Sequence, residues 1–219
     1  MWNWVALLVF SILAAEGIHL ETADMEPGAM LVTLAAFFSW LSILLLPTNS
    51  GSRTQTRVVL LWAVMATAGF LTISLSPLYF EPGNRSLHLA GGVLVLVLLF
   101  GAMQRLIRVY SSSHTNSMML FTLITGALFT APLYLSVVAE ATSHQALVDA
   151  IIAASPVSYL AGIVGYDYLR SGWFYQHMPY GGIRFNYAAT GIMTIGYLII
   201  TFVLAGANTL RQRAELRTQ

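Results

Sequence analysis

Seven apolar stretches follow one another along this chain, at 4–20, 30–46, 58–78, 87–107, 118–138, 146–169 and 187–207. Each is close to the roughly 20 residues a helix needs to cross the hydrocarbon core of a bilayer. No water is present at that depth to satisfy backbone amides and carbonyls, so a crossing segment must bond them internally, as a helix does. The sequence therefore predicts an all-α polytopic membrane protein, organised as a single integral membrane domain over 1–219. Composition agrees: 57% of the residues are hydrophobic and 9% are charged, against about 25% charged in soluble domains.

What the chain lacks removes whole classes of chemistry. It has no cysteine, which excludes disulfides, iron–sulfur clusters, thiolate zinc sites and cysteine nucleophiles. All ten basic residues are arginine, so there is no lysine for a Schiff base or for a Walker A phosphate loop. The net charge of +1 and the single short basic run, Arg211, Arg213 and Arg217, point to no nucleic acid partner. The expected partners are the bilayer, other membrane subunits or a second copy of the chain. The amino-terminal run lacks a basic leader and a good cleavage site, and is expected to stay as the first span.

Arginine placement predicts orientation, because basic residues in short loops stay cytoplasmic. Arg53 and Arg57, then Arg105 and Arg108, mark two inner loops and put the amino terminus inside, in what is expected to be a bacterial inner membrane. The stretch 146–169 decides the rest, because Ser155-Pro156 interrupts it and proline breaks a helix. If it crosses there are seven spans, and the arginines divide six inside against four outside. If it turns back, as half-helices near 147–154 and 157–165, there are six spans and a division of seven against three. The positive-inside rule prefers six. In that topology eight of the nine carboxylates and four of the five histidines share the outer side; in the seven-span alternative Asp167 and His177 move inside.

Several polar residues are candidates for chemistry. Glu16 and His19 are spaced to leave one helix face, half of the Glu-x-x-His pattern of di-metal bundles. With Glu140, His144 and His177 they form a candidate ligand set for a transition metal. His19 and His88, near the outer ends of two spans, could ligate a b-type haem. The plainer reading keeps Glu16 and His19 hydrated at the interface and His88 in a loop hydrogen bond.

Asp149 lies in otherwise apolar sequence, where an ionisable residue is a candidate carrier of protons or cations; it also suits a helix N-cap. The segment 165–185 adds Asp167, Arg170 and Arg184 among seven aromatics, either a binding loop or an interfacial belt. Asn84-Arg85-Ser86 matches a glycosylation sequon. Broken helices at membrane depth are how transporters build their sites. The leading expectation is therefore a small transporter or channel for an ion or small solute, with Asp149, Asp167, Arg170 and Arg184 serving transport. A metal- or haem-dependent membrane oxidoreductase and a non-catalytic subunit of a larger complex are the alternatives.

Overall fold

The computed structural model describes residues 27–44, 52–74, 84–111, 113–135, 138, 144–170 and 187–217. Among them there are helices and turns and no strand. They are α1 (Pro27–Leu44), α2 (Ser52–Ser74), α3 (Asn84–Tyr110), α4 (His114–Thr130), α5 (Gln145–Ala154), α6 (Pro156–Val164) and α7 (Thr190–Arg217). Short 3-10 turns follow α4 (Ala131–Tyr134) and α6 (Tyr168–Arg170).

Local chemistry explains the boundaries. The Ser113 hydroxyl accepts from the Asn116 amide at 3.3 Å and so caps α4. Pro132, buried in the 3-10 turn, ends the regular part of that helix. The residue before a proline is driven to an extended conformation, and Ser155 takes φ −78° and ψ 124° between α5 and α6. Pro156 then opens α6 from the first helical position, where its missing amide costs nothing. Gly165 closes α6 at φ +73°. The amide of Tyr166 donates back to the Ala161 carbonyl at 2.9 Å, a helix ending that requires the left-handed conformation glycine tolerates.

Helix α3 is the axis of the fold. Leu89, Val93, Leu96 and Phe100 along it are fully buried, covered by Phe38 of α1, Ala66 and Phe70 of α2, Tyr159 and Leu160 of α6 and Tyr197 of α7. Close approach is enforced at two glycines. A Cβ at Gly92 would lie 2.5 Å from Ile163 of α6, and one at Gly101 would lie 2.9 Å from Val59 of α2. The indole of Trp62 ties α2 to α1 through the Ser42 carbonyl at 2.6 Å.

The outer helices have the opposite character. Of the most apolar window of α7 only 11% is buried, against 67% for α3; Ile192, Ile195, Phe202 and Val203 are all at least 60% exposed. An apolar surface of this extent needs lipid as its solvent. Three helices are long and apolar enough to cross a membrane, over Ser86–Tyr110, Thr115–Tyr134 and Thr190–Arg211, or four if the bent pair α5–α6 is one span. Val32–Ser42 and Arg57–Leu71 are shorter apolar helical stretches. The chain is thus an all-helical membrane protein with three to four candidate spans among the described residues.

Two relations position the site. First, α3 and α7 run parallel: His88 and Thr190 border one cleft, Asn208 Nδ2 donates to the Ala102 carbonyl at 3.3 Å, and the Arg211 guanidinium lies 4.1 Å over the Tyr110 ring. Second, α5 and α6 meet at a bend of 78°. Leu135, before the pair, and Leu169, after it, pack in one cluster with Val148 and Ile152 of α5. The segments before and after the bent pair thus meet the same face of α5.

Candidate functional site

The break at Ser155-Pro156 interrupts the helical backbone ladder between α5 and α6. The Ile152 carbonyl accepts from the Ser155 amide at 3.2 Å, and Pro156 brings no amide to the carbonyls at the end of α5. One of them, Ala153, is taken by the Tyr197 hydroxyl of α7 at 3.3 Å. The Ser155 hydroxyl is fully buried and makes no hydrogen bond of good geometry among the described residues, although it bears on the nearby Tyr168 hydroxyl. An unpaired buried hydroxyl costs about 1–3 kcal/mol, and a native fold retains one where something else meets it.

Hydroxyls ring this break. Ser158 and Tyr168 pair at 2.8 Å. Tyr159 and Thr194 pair at 3.0 Å, and Thr194 also donates to the Thr190 carbonyl at 2.8 Å. The Tyr187 hydroxyl accepts from the Leu169 amide at 3.1 Å. Ring packing holds the tyrosines in place: Tyr159 meets Tyr197 edge-on at 5.0 Å, and Tyr168 meets Tyr187 at 6.0 Å. Burial pushes the Tyr168 and Tyr187 hydroxyls well above their ordinary range, with the Ser158 and Leu169 bonds opposing the shift and the Asp167 charge adding to it. Both stay neutral donors and acceptors.

Three cavities share the broken pair as a wall. One of about 380 Å³ lies between α1 and α4 and touches Val157. An apolar one of about 470 Å³, between α3 and α7, is bordered by Ala153, Ala154 and Pro156. The third, about 520 Å³, opens between the first turns of α3 and α7 and the second half of α6. His88, Gly91, Gly92, Tyr159, Thr190 and Thr194 line it, and it is the cleft in which polar side chains gather. A Cβ built at Gly91 or Gly191 meets nothing within 4 Å, so these two glycines leave the cleft open.

The residues singled out by charge are dispersed. Asp149 is half-buried on α5, its carboxylate accepting from Gln145 at 2.8 Å, one turn and more before the break. Asp167 and Arg170 form an ion pair at 3.2 Å with side chains 39% and 70% exposed. His144 stands exposed at the start of α5 and makes no capping bond with its side chain. His88 is exposed and borders the 520 Å³ cleft. Glu16, His19, Glu140, His177 and Arg184 lie outside the described residues. Among the described residues no three His, Asp or Glu side chains come together in a way that could hold a metal.

The residues that do converge, Ser155, Ser158, Tyr159, Tyr168, Thr194 and Tyr197, are uncharged. Their signal in the sequence was faint: hydroxyl-bearing residues inside stretches whose hydropathy is that of a span. Comparison of the chain with protein-family models, with characterised proteins and with solved structures finds no match.

Proposed function

We propose that this protein is a small membrane transporter or channel for a small solute, and that the solute enters through the His88–Tyr159–Thr194 cleft. One observation carries the reading: α6, the helix that Pro156 opens, lines all three cavities, and the Ser155 hydroxyl just before it is buried with no hydrogen bond of good geometry among the described residues. Irregular backbone at membrane depth persists where it is covered by protein or lines a polar cavity, and in transporters it marks the binding site. A broken pair also needs only a small change at one extended residue to swing one half against the other. Asp149, on α5, does not line this cleft.

The same reading prefers six spans. The pair begins and ends beside Leu135 and Leu169, and the parallel course of α3 and α7 requires Thr190 on the side of His88. A pair that turns back satisfies both, with Arg105, Arg108 and Arg211 together on the cytoplasmic side.

Two experiments test this. Single cysteines introduced into this cysteine-free chain at His144, Arg170 and Ala189 should all react with an impermeant reagent from one side of the membrane, and one at Ser113 from the other. Labelling of Arg170→Cys and Ala189→Cys from the Ser113 side would overturn the six-span topology. Purified protein in liposomes should carry small solutes faster than protein-free vesicles, and Gly191→Leu, which fills the cleft, should stop it. No protein-dependent flux across a panel of ions and small polar solutes ends the transport reading.

A further inference from the structure

We infer that the cleft selects a small uncharged solute that donates a hydrogen bond, such as a primary amide or an alcohol. The inference rests on the transport reading and concerns what the path admits. Its basis is an account of hydrogens. A hydroxyl owns one hydrogen and two lone pairs. Thr194 spends its hydrogen on the Thr190 carbonyl at 2.8 Å, so in the Tyr159–Thr194 pair at 3.0 Å the tyrosine is the donor. Tyr197, packed edge-on against Tyr159, spends its own hydrogen on the Ala153 carbonyl. The Tyr159–Thr194 pair is left with lone pairs alone to offer a solute in the cleft. Thr190 and His88 keep groups that adapt to either role.

Charge narrows the class further. No carboxylate and no arginine lines the cleft among the described residues, so an ion entering it would lose hydration without gaining a counter-charge. A neutral solute with an N–H or O–H meets fixed acceptors at small cost. One whose nitrogen or oxygen carries only methyl groups leaves those oxygens facing an apolar surface. The open space at Gly91 and Gly191 leaves room in the cleft for such a solute.

The test uses the full chain in liposomes, with acetamide, its donor-free analogue N,N-dimethylacetamide, and potassium as probes, each corrected for protein-free vesicles. Acetamide should move faster than dimethylacetamide through the protein, and potassium should not move. Tyr159→Phe keeps the ring packing and removes the acceptor; acetamide flux should fall about 5- to 10-fold, the size of one hydrogen bond. Thr194→Val acts differently: it frees the Tyr159 hydrogen, turns the cleft into a donor, and should shift the preference toward dimethylacetamide. Gly191→Leu should block every probe. If Gly191→Leu blocks flux while neither hydroxyl variant alters the ratio of the two amides, the solute class is wrong and the transport reading stands. If Gly191→Leu has no effect, the cleft is not the path and the inference falls. Absence of flux for all probes overturns both.

Discussion

Helix α3 and the pair α5–α6 are made of similarly apolar sequence and meet the same solvent, yet they hold opposite places in the molecule. The 27 residues of α3 form one unbroken helix, whose backbone groups between its ends are bonded internally, and other helices wrap it. The 10 and 9 residues of α5 and α6 cannot do so across Ser155-Pro156. There the backbone borrows Tyr197 from another helix, and side-chain hydroxyls gather from α6, α7 and the segment between them. The lesson is that hydropathy sorts a residue into the membrane, while the destination of each backbone hydrogen bond decides whether a segment is scaffold or working part. A self-satisfied helix is rigid by default; a segment that needs loans from its neighbours has its geometry decided by them.

Substitutions can break this contrast. The largest effect is expected in the axis: Phe100→Ala empties a fully buried site on α3 and should cost about 3–5 kcal/mol, read as loss of resistance to unfolding in detergent. Pro156→Ala should change stability by about 1 kcal/mol or less, because the break is held from outside. An equal loss from the two would erase the distinction. Next comes Gly92 against Gly91, neighbours on one helix. Gly92→Leu pushes α6 off the axis, where Ile163 and Leu160 already crowd the site, at about 1–3 kcal/mol. Gly91→Leu meets open space and should leave thermal unfolding unchanged while narrowing the cleft.

A smaller effect follows from pH. The folded protein holds Tyr168 and Tyr187 neutral, with ionisation displaced upward, whereas an unfolded tyrosine ionises near about pH 10. Below that pH both states carry the proton and no stability is at stake. Above it the unfolded chain alone releases protons, so stability falls with rising pH. Tyrosinate absorbance should therefore lag behind that of a free tyrosine and appear together with unfolding; Tyr187→Phe should weaken the alkaline dependence. The smallest effect belongs to the exposed Asp167–Arg170 pair: Asp167→Asn should shift stability by less than about 0.5 kcal/mol, measurable by the same unfolding assay.

Much of the architecture was legible in the sequence because it depends on local rules. The break was expected from Ser155-Pro156, and α5 and α6 end and begin on either side of it. The start of α4 at His114 and not at 118 reflects the Ser113 cap, a signal available in the serine run but overshadowed by hydropathy. What could not be read was pairing across distance. Nothing local announces that Gly92 receives Ile163, or that Tyr159 finds Thr194, 35 residues away. Charge drew attention to Asp149, Asp167 and Arg170, which are only partly buried or exposed and are met locally, Asp149 by Gln145 and Asp167 by Arg170. The hydroxyls that converge are individually compatible with lipid, so no energetic alarm marks them until a fold brings them together.

The parallel seating of α7 on α3 also sets an order of assembly. The Asn208–Ala102 bond joins residues 106 apart, so α3 is made long before the helix that completes its cover. Until then one flank of the axis, including the cleft wall that Thr190 and Thr194 complete, faces lipid or a chaperone. Contacts of such long range form late and slowly, and domains that wait for a distant segment are exposed meanwhile to wrong partners. A chain stopped after α6 would carry nearly all of its core residues and still lack its cleft.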